Sequence, residues 1–75
     1  MSALMNRVRV SRQLSPALAK AIRESVKVSQ QEVADELGVH RVTVARWELG
    51  ARRPRGRLLT AYTQLLRQLQ KVSGS

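Results

Sequence analysis

Residues Ser29 to Gly50, SQQEVADELGVHRVTVARWELG, set two short amphipathic segments on either side of a glycine, and this stretch limits what the chain can become. In the first, Gln30 to Leu37, the residues Val33, Ala34 and Leu37 recur at helical spacing on one face, while Gln31, Glu32, Asp35 and Glu36 largely face solvent. Ser29 is placed to open that helix. Its hydroxyl, with Glu32 three residues on, makes the reciprocal capping pattern that satisfies otherwise orphaned backbone donors. Gly38 ends the segment, because a left-handed turn costs least where there is no Cβ. The second segment, Arg41 to Glu48, buries Val44 and Trp47 and closes at Gly50. At about 100° per residue, Arg41, Val42, Ala45 and Arg46 then form one contiguous arc on the opposite side.

Two arginines, a valine and an alanine are an odd surface for a helix that merely faces water. They suit the major groove of DNA. Guanine presents two acceptors there that a guanidinium fork matches, a thymine methyl accepts an apolar neighbour such as Val42, and the small Ala45 lets the backbone approach. Two helices and a tight turn, the second helix carrying this arc, read as a helix-turn-helix.

Order and spacing also resemble the Cro/phage-repressor (XRE-like) class of helix-turn-helix proteins. The resemblance is carried by Gln30, Glu32, Ala34, Leu37, Gly38-Val39, Arg41, Thr43, Arg46, Trp47-Glu48, Gly50 and Arg53-Pro54. It implies an all-α fold, a small bundle of four helices with a central helix-turn-helix of lambda-repressor-like type. It further implies that Gln30 and Thr43 contact phosphate or groove edge, that Arg41, Val42 and Arg46 read bases, and that Arg23 and Glu48 form a partly buried ion pair. His40 departs from the pattern, which has Ser or Thr capping the second helix; a pH-dependent phosphate contact is the role left to it.

Seventy-five residues make one domain with little interior, so helices around a few large side chains are the economical solution. With no Phe, one Trp and one Tyr, Trp47 is expected to be the largest contributor to the core. The absence of cysteine and the presence of a single His argue against a metal site, and no cofactor is expected. Serines and threonines have no His-acid partner at a defensible spacing and there is no phosphate-cradling glycine loop, so an enzyme is not expected. No apolar run reaches the roughly 20 residues of a membrane span, and no secretion signal opens the chain, so a cytoplasmic, nucleoid-associated location without membrane contact is expected.

Charge is distributed unevenly. Fourteen Lys and Arg against five acids give +9, yet all five acids fall between Glu24 and Glu48. Two basic flanks bracket a nearly neutral centre, a field that draws a polyanion and makes its binding steeply salt-dependent. A solubilising basic surface, or a patch for acidic lipid, is the bland alternative.

Residues 1–14 alternate Arg7, Val8, Arg9 and Val10 before Arg12, which permits a short strand and equally a basic arm lying along phosphates or in the minor groove. The domain proper is expected over 15–72. Ser15-Pro16 starts a helix in which Leu18, Ala19, Ile22 and Val26 recur; it should end near Lys27, with Val28 tucked into the core and Arg23 reaching Glu48 rather than Glu24 or solvent. The loop GARRPRG places Arg52, Arg53 and Arg55 around Pro54, suited to gripping phosphates beside the recognition helix. From Arg57 to about Val72, Leu58, Leu59, Tyr62 and Leu66 should cover Trp47 and the first helix. Leu65, Leu69 and Val72 then remain as a ridge, for a homodimer through residues 57–72 or for wrapping the protein's own core. Ser73-Gly74-Ser75 is expected to be a flexible tail.

Function therefore reads as sequence-specific binding of double-stranded DNA by a regulator of prokaryotic or phage type, a repressor by occupancy. An excisionase-like architectural role beside a recombinase, or an antitoxin-like interaction module presenting the leucine ridge, are the alternatives. Binding of RNA by charge alone fits less well, because the two aromatics sit in apolar stripes.

Overall fold

The start and stop of each helix are written in local hydrogen bonds. In the computed structural model, which describes residues 15–74, four helices follow one another: α1 (Pro16–Ser25), α2 (Gln30–Leu37), α3 (Arg41–Leu49) and α4 (Gly56–Gly74). The Ser15 hydroxyl accepts from the Leu18 N–H at 3.4 Å, with Pro16 in the first turn where its missing donor costs nothing. Ser29 and Glu32 form the full reciprocal cap, each side chain accepting from the other's backbone N–H at 2.9 Å. His40 precedes α3 without a side-chain capping bond.

Helices α1, α2 and α3 all end the same way. A residue with positive φ follows the helix, its N–H bonding back three residues and the next N–H bonding back five. Gly38 (φ 70°) and Gly50 (φ 77°) fill that position after α2 and α3, but after α1 it falls to Lys27 (φ 58°). Near Lys27, as expected, α1 ends: its last residue is Ser25, because Lys27 is already the left-handed residue of the turn. The turn still delivers Val28 to the core. At the other end α4 continues through Gly74, past the expected stop at Val72, so the backbone of Ser73 and Gly74 is helical. The arm expected over 1–14 and the last residue lie outside the described residues.

Packing is that of an all-α four-helix bundle: α2 lies on α3, and α1 packs against both α3 and α4. Its core is Ala19, Ile22, Val33, Ala34, Val44, Trp47, Tyr62 and Leu66. Val33 and Val44 are essentially inaccessible, each burial contributing about 1.5–3 kcal/mol. The Trp47 and Tyr62 rings meet at 4.7 Å between centroids, tilted by 43°, joining α3 to α4. Leu58, Leu65 and Leu69 pack half-buried against this core. The leucine ridge is thereby corrected: Leu65 and Leu69 turn toward their own core, and Leu59 stays half-buried outside that cluster. Of the three ridge residues Val72 alone is exposed. Among the described residues no helix is long and apolar enough to cross a membrane.

Candidate nucleic-acid interface

Helix α3 is anchored on one side by Val44, Trp47 and Glu48, all buried, and this fixes what the other side presents. Arg41, Val42 and Arg46 are exposed and Ala45 is half-buried between them. Val42 keeps 46% of its surface in solvent, high for a valine on a helix so firmly docked. The arc includes a residue the sequence reading passed over. Leu49, one turn beyond Ala45, is 81% exposed. At about 100° per residue it falls in the middle of the arc, a placement that the four-residue step from Ala45 could have revealed.

Beside this arc runs a concavity lined by Thr43, Arg46, Trp47, the loop from Gly50 to Arg55 and Leu58 of α4. Arg52, Arg53 and Arg55 are exposed along the loop, Thr43 is half-buried and His40 is exposed at the start of α3. Trp47, Pro54 and Leu58 are among its less exposed lining residues, and Arg46, Arg52, Arg53 and Arg55 among its exposed ones. Such a surface offers forked donors to acceptors on a rigid polyanion, with no acid among its lining residues.

Behind the arc lies a polar cluster that ties the helices together. Arg23 of α1 grips Glu48 of α3 through two bonds, Nε to Oε2 at 2.6 Å and Nη2 to Oε1 at 3.0 Å. The Arg23 and Glu48 side chains are only 11% and 3% exposed, so this is an interior ion pair, whereas the 3.9 Å approach to the exposed Glu24 is peripheral. A third Arg23 donor, Nη1, reaches the Val28 carbonyl at 2.8 Å and fastens the α1–α2 turn. The Glu48 carboxyl is pushed up by burial, but the hydrogen bonds from Arg23 and Gln30 together with the Arg23 charge outweigh that and hold it below its ordinary range. The same hydrogen bond raises the Arg23 guanidinium, against the opposing effect of burial.

Gln30 is not simply an outward-facing groove contact. Its Nε2 donates to Glu48 Oε1 at 3.0 Å and its Oε1 accepts from Arg41 Nη1 at 3.3 Å, so it bridges the interior pair and the arc. Contacts separated by eleven and eighteen positions leave no periodic trace in a sequence. Deeper still, the Tyr62 hydroxyl is buried with no hydrogen-bond partner among the described residues, and burial pushes its pKa up to about 12. Among the described residues no three metal-ligating side chains come together.

A family model described as Helix-turn-helix matches residues 20–72, from within α1 to near the end of α4. Comparison with curated proteins and with solved structures returned no match.

Proposed function

Because the chain belongs to the helix-turn-helix family, we propose that it binds double-stranded DNA sequence-specifically and acts by occupancy as a transcriptional regulator of repressor type. The observation that carries this reading is the outward arc of α3: two exposed arginines framing Val42 and Ala45, on a helix whose other face is locked into the core. In this reading Arg41 and Arg46 donate to guanine acceptors, Val42 meets a thymine methyl, and Ala45 sets the approach distance. Gln30, His40 and Thr43 line the backbone on either side, and Arg52, Arg53 and Arg55 hold phosphates along the adjoining loop.

Any pairing of two copies we place on the DNA itself. With Leu65 and Leu69 packed against their own core, Val72 is the exposed large hydrophobic residue that α4 has left among the described residues. Two copies on an inverted repeat would sit about one turn, roughly 34 Å, apart. An architectural role beside a recombinase would instead bend the duplex, which a circular-permutation gel assay reads directly.

The test is a salt titration of wild type, Arg46→Ala and Arg53→Ala on one preferred and one scrambled duplex. Arg46→Ala should lose about 1–3 kcal/mol of discrimination, whereas Arg53→Ala should weaken both duplexes alike and shallow the salt slope by about one. Equal losses on both duplexes for both variants would refute the division of labour.

A further inference from the structure

We infer that Glu48 acts through Gln30 as a positioning residue for Arg41, so that a carboxylate inside the fold fixes where the first arginine of α3 points. The inference rests on reading α3 as the base-reading helix. Three side chains are joined in series: Glu48 Oε1 accepts from Gln30 Nε2 at 3.0 Å, and Gln30 Oε1 accepts from Arg41 Nη1 at 3.3 Å. A carboxylate only accepts and a guanidinium only donates, so an amide between them has a single orientation that satisfies both. Turning it over would put oxygen against carboxylate and NH₂ against guanidinium, losing two hydrogen bonds to charged groups. Glu48 cannot rotate away to accommodate that, because Arg23 holds both its oxygens and its side chain is 3% exposed. The amide is locked from within, and its oxygen is the group offered to the surface.

Arg41 gains a fixed anchor before any partner arrives. A long, exposed side chain ordinarily loses rotamer freedom on binding, and a tether present in the free protein removes part of that loss at this position alone. A Gln30 that merely touched phosphate would leave Arg41 as free as any loop arginine and would contribute equally on every sequence.

Two measurements separate these cases. The first is ¹⁵N relaxation of the arginine Nε–Hε groups in the free wild-type protein, which requires no variant to fold. Arg41 should be more ordered than Arg53, and Gln30→Met, similar in length but without hydrogen-bonding groups, should abolish the difference. The second is binding to duplexes altered one base pair at a time. Gln30→Met should lower discrimination about fivefold at the pair identified by Arg41→Ala and leave the pair identified by Arg46→Ala unchanged. Arg41 as mobile as Arg53 in wild type, or a Gln30→Met variant whose discrimination at the Arg41 base pair is unchanged while all duplexes bind equally more weakly, would overturn the inference. Should Arg41→Ala show no base preference at all, the base-reading assignment fails, and the relaxation comparison still decides the positioning role by itself.

Discussion

Replacing Glu48 by Gln keeps the side chain's shape and removes its charge, leaving the Arg23 guanidinium in the interior facing a neutral amide. Because the two side chains are only 11% and 3% exposed, solvent does little to make up the loss. Breaking a buried pair from one side costs about 3–5 kcal/mol, and the amide carbonyl's capacity to accept one bond points to the low end, about 3 kcal/mol. A chain of 75 residues has a total stability of about 4–11 kcal/mol, so the variant should lose roughly a quarter to three quarters of it. Thermal melting followed by circular dichroism should show a midpoint lowered by roughly 12–24 °C. The dependence on pH follows from the direction of the shift. The folded carboxyl titrates below its ordinary value of 4.5, so the unfolded chain binds the proton more readily. The pair's contribution is complete above 4.5 and is lost as pH falls through the lower, folded value. The gap between wild type and Glu48→Gln should therefore stay constant from about pH 5 to 8 and narrow in acid. Exchanging both partners for apolar residues, Arg23→Met with Glu48→Leu, should recover most of the loss, since no lone charge remains buried. A midpoint for Glu48→Gln within about 4 °C of wild type at neutral pH would refute the reasoning, as would a gap that widens in acid.

Smaller effects are expected elsewhere. Tyr62→Phe removes a buried hydroxyl that has no partner among the described residues, and should raise stability in urea by about 1 kcal/mol; a loss of that size would mean that the hydroxyl is satisfied in solution. Lys27→Gly relieves a left-handed lysine at the end of α1 and should stabilise by roughly 0.5–1 kcal/mol after the greater freedom of glycine in the unfolded chain is subtracted. A decrease in the urea midpoint would show that the turn does not hold Lys27 in that conformation.

What was legible in the sequence is what repeats or caps. The Ser29–Glu32 box, the left-handed Gly38 and Gly50 and the Val33, Val44 and Trp47 anchors are local or periodic, and they sufficed to give α2, α3 and the outward arc of α3. Three features were not legible. The sequence places a stop near Lys27, but does not show that Lys27 itself takes the left-handed role usually given to glycine. The direction of Leu65 and Leu69 depends on how α4 lies across α1, which helical spacing alone leaves open. The bridge from Glu48 through Gln30 to Arg41 joins side chains from two helices, and only the crossing of α2 on α3 brings them within bonding distance.

The central claim is that α3 reads base pairs. Selection of bound sequences from a random duplex pool at near-physiological salt, with Arg46→Ala carried through in parallel, tests it most directly. Convergence on a short motif in wild type, lost at defined positions in the variant, is the predicted result, and two-fold symmetry in the motif would place two copies on it. Failure to converge, with binding that disappears as salt rises equally for both proteins, would contradict it.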